Sequence, residues 1–177
     1  VGVTQPITKW NYQIRRAEDI PWAVARAFYI AKSGRPGPVV LDFTKNAQTA
    51  KFEYEPQTVD FIRSYKPLHH PSQCAIKKAA QMINDSVKPF MLVGQGVELG
   101  GAHKELLELC EKAQIPFGQT LLGLSAAPTD HPLNMGMLGM HGNYAPNFMT
   151  NQCDLLIAVG MRFDDRVTGN LKTYAKQ

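Results

Sequence analysis

The sequence predicts an α/β fold built on a parallel sheet with helices on both faces. Three observations carry that expectation. Short apolar runs alternate with helix-length amphipathic stretches along the 177 residues. The longest apolar runs are about a strand long and far too short to span a bilayer. Each run is apolar throughout rather than alternating, the pattern of a strand buried on both faces.

The elements follow in order. Residues 19–33 read as a helix: Asp19 is placed to cap it, Pro21 suits its first turn, and Ala23, Ala27 and Ile30 recur at helical spacing before Gly34 ends it. PVVLDF, Pro38 to Phe43, reads as a buried strand. Residues 48–72 lose periodicity and contain Pro56, Pro67 and Pro71, which reads as a linker. Ser72 then caps a helix running to about Val87, with Ile76, Ala79, Ala80 and Ile83 on one face. PFMLVGQG is a strand ending in glycines, and Ala102 to Ala113 is an amphipathic helix that turns Leu106, Leu107 and Cys110 inward. IPFGQTLLG is a short strand and turn. Asn143 to Gln152 is a helix whose Pro146 fits only the first turn. DLLIAVG is the last strand, and Leu171 to Lys176 reads as the start of a helix.

Composition removes several function classes. At 44% hydrophobic and 19% charged, the chain is neither disordered nor membrane-like. No charged segment followed by an apolar one opens it, so secretion is not expected. Cys74, Cys110 and Cys153 form no CxxC pair, which argues against zinc or a disulfide framework and for a reduced, cytoplasmic setting. The net charge of +4 sits entirely in residues 1–47, where seven Lys and Arg face three acidic residues; the rest is balanced. That is not the basic stripe of a nucleic-acid binder.

In open parallel sheets, ligands bind beyond the carboxyl ends of the strands. Three ends carry unusual residues: Gly94-Gln95-Gly96, Thr120-Leu121, and Gly160-Met161-Arg162-Phe163-Asp164. A glycine-spaced loop with His141, Met137 to Asn143, lies between the last two. Glycine lets a phosphate or flat ring approach the backbone, a following helix offers amides to an anion, and Arg162 suits a diphosphate. Asp164 or Asp165 suits an arginine or a ribose hydroxyl. The set suits a dinucleotide. Each member also has a plainer reading: Gly94–Gly96 as a turn, His141 as a loop residue, the nearby methionines as core filler, and Arg162 with Asp164 as a surface ion pair worth under about 1 kcal/mol.

The stretches RFDDRVTG, LGMHG, SGRPGPV and ITKWNY, in this order-consistent set along the whole chain, resemble the large catalytic subunit of acetolactate synthase (acetohydroxyacid synthase). That resemblance implies decarboxylative condensation of pyruvate with a second 2-oxo acid such as 2-oxobutyrate, using thiamine diphosphate, magnesium and FAD, at the opening of branched-chain amino-acid synthesis. It implies a homo-oligomer, dimer or tetramer, with a regulatory small subunit as a further partner, and neither nucleic acid nor membrane. Residues 1–47 match the end of the pyrimidine-binding domain, 48–72 a linker, and 73–177 most of a central FAD-holding domain, a doubly wound, Rossmann-like α/β fold.

Carried over motif by motif, SGRPGP places Arg35 near the flavin nucleotide. VGQG adds Gly94, Gln95 and Gly96, where the family commonly has three glycines, so Gln95 departs from the pattern. QTLLG adds Thr120 and Leu121. LGMHG adds Leu138, Gly139, Met140 and His141. GMRFDDRV adds Gly160, Met161, Arg162, Phe163, Asp164, Arg166 and Val167. FTKN aligns with a VPKD-like stretch and places Lys45 near a substrate channel bordered by Met140, Asp165 and Arg166. The family's thiamine-activating glutamate and GDG…N metal motif are not among these residues, so no catalytic residue or metal ligand is assigned. The 177 residues alone are expected to be inactive and to bind FAD weakly or not at all. Residues 1–47 are expected to hold a strand without its sheet, which must dock, pair with another copy or lose order. Other thiamine and FAD enzymes (a glyoxylate carboligase or pyruvate oxidase), a non-catalytic nucleotide-binding module and an assembly scaffold are the rival readings. NAD-binding deacetylases share the fold type, but their histidine and zinc cysteines have no counterpart here.

Overall fold

The structure, a computed structural model, describes residues 1–63, 65–66 and 70–176. It divides into two compact units, Val1–Pro71 and Ser72–Gln177.

In the first unit, strands β1 (Trp10–Ile14) and β2 (Val39–Phe43) pair in parallel from Trp10 opposite Val39 to Ile14 opposite Phe43. The expected lone strand is therefore corrected: β2 has its partner within the same unit. WNYQI alternates apolar and polar residues, itself a strand pattern, and so escapes a rule based on continuous apolar runs. Trp10, Tyr12 and Ile14 share one side, with Asn11 and Gln13 between. Trp10 stacks on Tyr12 with ring centroids 5.5 Å apart, and Trp22 meets Tyr12 edge-on at 5.4 Å. Ile14, Ala23 and Ala47 are buried beneath them.

Helix α1 (Ile20–Lys32) crosses between the strands. Its expected cap at Asp19 makes no side-chain bond, because the chain enters already turning through a 3-10 segment, Ala17–Asp19. Its other end is held from a distance: the Lys9 ammonium donates to the Ile30 and Ser33 carbonyls at 2.5 and 2.6 Å. Gly34 follows at φ +59°. After the short helix α2 (Lys45–Thr49), the stretch read as a linker returns to this unit: Ile62 is buried, and the Tyr65 hydroxyl donates to Ser33 O at 2.8 Å. Ser64, Pro67, Leu68 and His69 of that stretch lie outside the described residues.

The second unit is a parallel four-stranded sheet in the order β5-β4-β3-β6, formed by β3 (Pro89–Val93), β4 (Phe117–Gln119), β5 (Asn134–Met137) and β6 (Leu155–Val159). Along β3, Met91 and Val93 enter one core with Val97, Leu106 and Cys110, while Phe90 and Leu92 enter another with Leu138 and Cys153. Both faces of β3 are covered, which is why its sequence is apolar without alternation. Helices α4 (Gln95–Gly100) and α5 (His103–Ala113) supply the first core; α6 (Tyr144–Thr150) and α7 (Asp165–Thr168) contribute to the second. This is the doubly wound α/β arrangement expected.

Three local expectations change. Helix α3 (Gln73–Asp85) forms with Ser72 Oγ accepting from Ala75 N–H at 3.1 Å, but its apolar face is open: Ile76 is 45% exposed, Ala79 and Ala80 are exposed, and Ile83 alone of that face packs on the first core. Strand β6 is half-buried rather than buried, because it lies at the sheet's edge. Leu171 to Lys176 makes turns instead of a helix. The helix there is the earlier, four-residue α7, which ends at Gly169 with φ +57°. Among the described residues no helix is long and apolar enough to cross a membrane.

Candidate functional site

Strand β3 is where the sheet changes direction. The chain moves from β3 to β4 and β5 on one side, then crosses to β6 on the other. Connections that leave neighbouring strands toward opposite faces open a crevice at their carboxyl ends. The sequence-selected residues of the second unit gather on that edge.

The tips are joined through backbone. Gly94 N–H donates to Val159 O at 2.9 Å, and Gly96 N–H to Gly160 O at 2.7 Å. Thr120 N–H donates to Val93 O at 2.8 Å, tying the β4 tip to β3. The next layer follows: Leu138 N–H reaches Gln119 O at 2.9 Å, and Met140 N–H reaches Arg166 O at 2.7 Å. Asn147 clamps Gly139 on both sides, accepting from its N–H and donating to its carbonyl, each at 2.9 Å. Gly94, Gly96, Thr120, Leu138, Gly139, Met140, Gly160 and Arg166 are thus one connected edge, with Met161 and Val167 packed on the core below.

The reason for the glycines differs from the sequence expectation. A Cβ on Gly94 would sit 2.5 Å from Gly160 O, and one on Gly96 would sit 2.5 Å from Gly160 Cα. At Gly139 it would sit 2.8 Å from Arg166 O. Protein backbone fills the space that a side chain at these positions would need. The amides are spent in the same way. Gly96 N–H serves Gly160, Val97 N–H serves Gly94 O at 3.2 Å, and the first amides of α7 serve the Asp164 carboxylate, at 3.1 Å to Arg166 N and 3.2 Å to Val167 N. The amides bonded in this way, at the starts of α4 and α7, are not free for an anion.

What the edge offers outward is side chains. Leu121, Met140 and Phe163 are 69%, 63% and 56% exposed, an unusual apolar display on a strand-tip surface. His141 and Arg166 are exposed beside them, and Gln95 is half-exposed at the start of α4. Arg162, 74% exposed, lies 3.4 Å from Asp164 Oδ2, so the plainer ion-pair reading is present in the structure. Asp164 therefore serves both as N-cap and as counter-ion, while Asp165 is exposed. Arg35 and Lys45 belong to the first unit, Arg35 in the exposed turn after α1 and Lys45 at the exposed start of α2.

The donor set fits a nucleotide with a flat ring system in one respect only. Apolar side chains and guanidinium groups are available, while the amides of Gly94, Gly96 and Thr120 are bonded to neighbouring strand tips. Among the described residues no group of three His, Cys, Asp or Glu side chains stands close enough to hold a metal ion. Sequence reasoning passed over Gln119, Asn134 and Asn147, which hold this edge in shape. A lone polar residue closing an apolar strand was the one signal for Gln119; nothing in the sequence set the two asparagines apart from loop residues.

Residues 76–177 match the family model described as thiamine pyrophosphate enzyme, central domain. The chain is 46% identical over its full length to a protein of Methanocaldococcus jannaschii named a probable acetolactate synthase large subunit. It is 44% identical, over 98% of its length, to the acetolactate synthase isozyme 1 large subunit of Escherichia coli. In both cases it spans about 30% of the relative's length. A solved structure assigned as a thiamin diphosphate-dependent enzyme of Mycobacterium smegmatis superposes over 90% of this chain and 30% of its own, with a TM-score of 0.70 and 27% identity.

Proposed function

Since the chain belongs to the thiamine pyrophosphate enzyme central-domain family, we propose that it forms part of a cytoplasmic acetolactate synthase and carries that enzyme's flavin-nucleotide site. The reaction is the condensation of pyruvate with a second 2-oxo acid, 2-oxobutyrate among them, and the assembly a homo-oligomer with a regulatory small subunit. Support comes from identity above 40% to acetolactate synthase large subunits along essentially the whole chain.

One observation carries the site: the tips of β3, β4 and β6 converge on a single edge through Gly94–Val159, Gly96–Gly160 and Thr120–Val93 backbone bonds. On that edge Arg162 and Arg166 supply positive charge for a diphosphate, and Leu121, Met140 and Phe163 supply apolar contact for a ring. These side chains are what the edge offers a bound FAD. Thiamine diphosphate, when bound, supplies the carbanion-stabilising chemistry that the condensation needs. No residue of this chain is assigned to it or to magnesium. The role of these residues is to bind and orient the flavin nucleotide, and of Met140, Asp165 and Arg166 to border the substrate's path.

The experiment is a titration of FAD into the 177-residue chain, followed by quenching of flavin fluorescence. We expect weak, saturable binding that excess NAD does not displace. A signal that never saturates sinks the flavin reading. In parallel, the chain supplied with pyruvate, thiamine diphosphate, magnesium and FAD should form no acetolactate; turnover above blank would show that a complete reaction centre lies within it.

A further inference from the structure

The turn after β4 is shaped by one buried amide that the function above leaves unused. Gln119 closes β4 at 2% exposure. Its Nε2 donates to Gly123 O at 2.9 Å and approaches Leu124 O at 3.3 Å, while its Oε1 accepts from Asn134 Nδ2 at 3.0 Å. Asn134 Nδ2 also donates to Pro128 O at 2.9 Å, and Asn134 Oδ1 accepts from Gly136 N–H at 2.9 Å. The pair therefore ties the carbonyls of the 120–128 loop to both β4 and β5.

A buried primary amide is costly unless both its ends are satisfied, and here both are satisfied by the same loop and its neighbour. The consequence falls on the strand-tip edge. Gly123 is drawn so close to β3 that a Cβ there would lie 2.5 Å from Val93 O. Gly123 N–H closes the turn onto Thr120 O at 2.8 Å. With the loop's inward side fixed in this way, Leu121, Leu122 and Leu124 face outward, 69%, 59% and 41% exposed. Three neighbouring leucines held in water by a buried polar clamp are not core packing.

We propose that Gln119 is a positioning residue for the strand-tip site: by gripping the loop carbonyls it sets the Leu121–Leu124 shelf against which the ring system of the bound nucleotide lies. This rests on the flavin-nucleotide reading above and adds to it a residue that touches the loop and not the ligand.

Two readouts test it on the 177-residue chain, with Gln119→Met, which keeps length and removes every side-chain hydrogen bond, and Asn134→Leu, which removes the clamp's other half. Met149→Ala, a cavity under α6 in the core that the 120–128 loop does not join, serves as a control destabilised elsewhere. Amide hydrogen exchange is read first. The Gly123 and Ala126 amides, bonded at 2.8 and 3.0 Å in the loop, should exchange about tenfold faster in both clamp variants relative to β3 amides, and unchanged relative to β3 in the control. Equal protection in wild type and Gln119→Met overturns the inference. FAD titration is read second: affinity should fall about tenfold in Gln119→Met and hold within about twofold in Met149→Ala. Unchanged affinity in Gln119→Met also overturns it. Should Gln119→Met not fold, Asn134→Leu is judged by the same two readouts. Should wild type bind no flavin, the functional reading falls, and the exchange arm alone decides whether Gln119 sets the loop.

Discussion

The carbonyl of Gly160 accepts the Gly96 amide at 2.7 Å, and the two glycines face each other so closely that a Cβ on Gly96 would come within 2.5 Å of Gly160 Cα. The turn after β3 and the turn after β6 are in backbone contact, and the crevice between the two strands is closed at its base. Glycine at these positions is a requirement of packing.

The first expectation follows from that contact. Gly96→Ala should destabilise the second unit by about 1–3 kcal/mol, because backbone opposite it cannot move aside as a flexible side chain would. Gly100→Ala is the comparison, since nothing lies within 4 Å of its Cβ position. Being at the end of α4, it should be neutral or stabilising by under about 1 kcal/mol. Urea denaturation of both variants reads the difference; equal midpoints would mean that the turns are free to separate.

Asp154 gives a pH dependence. Its carboxylate, bonded to the Ser86 hydroxyl, accepts Val87 N–H at 2.7 Å and Lys88 N–H at 2.9 Å, and so holds the turn before β3 against the start of β6. These bonds, the Ser86 hydroxyl first, lower its pKa below the usual carboxylate value despite a smaller opposing effect of burial. A depressed folded-state pKa contributes stability that is present above the unfolded value of about 3.9 and is lost as pH falls through the folded one. Asp154→Asn should therefore be less stable than wild type at pH 6, with the gap narrowing as pH drops below about 4. Parallel stability curves from pH 6 to pH 3 would remove Asp154 from this role.

The thiols should separate into two classes. Cys74 is exposed on α3; Cys110 and Cys153 are buried. Burial, helped by the Glu111 charge, pushes the Cys110 thiol up to about 11, and burial raises Cys153 as well. Since the thiolate is the reactive form, labelling of the native chain at pH 8 should modify one cysteine quickly and the other two only on unfolding. Rapid labelling of Cys110 would contradict the packing of α5 on β3.

Much of the second unit was legible because its strands obey one rule. PFMLV and LLIAV are continuous apolar runs, and continuity marks a strand in a parallel sheet whichever side its helices take. The rule failed for WNYQI, whose alternation belongs to a sheet with one wet face, and for NMGM, β5, which is short and bulged opposite β4. At the candidate site, the residues to inspect were legible from their position at strand ends. Their roles were not. Whether a glycine makes room for a ligand or for another backbone depends on what stands opposite its missing Cβ, and that partner is 64 residues away for Gly96. Asp164 shows the same limit: a charge after a strand reads as ligand-facing until the first turn of α7 is seen to take one carboxylate oxygen and Arg162 the other.

Arg162 is the residue on which the flavin reading can be tested most sharply. Its guanidinium is 74% exposed and its ion pair with Asp164 at 3.4 Å lies at the surface, where such pairs contribute under about 1 kcal/mol. Asp164 keeps its capping bonds to Arg166 and Val167 without it. Arg162→Ala should therefore leave the unfolding midpoint nearly unchanged. If the guanidinium meets the diphosphate of FAD, the same substitution should lower affinity by about tenfold or more, the range for a lost charge-assisted bond. Arg162→Lys keeps the charge but not the planar fork, and should fall between the two. Salt gives an independent check. Wild-type affinity should drop as ionic strength rises from 0.01 M to 0.15 M, where the screening length shortens from about 30 to about 8 Å, and the alanine variant should respond less steeply. An alanine variant with wild-type affinity and wild-type salt response would leave Arg162 as nothing more than the partner of Asp164.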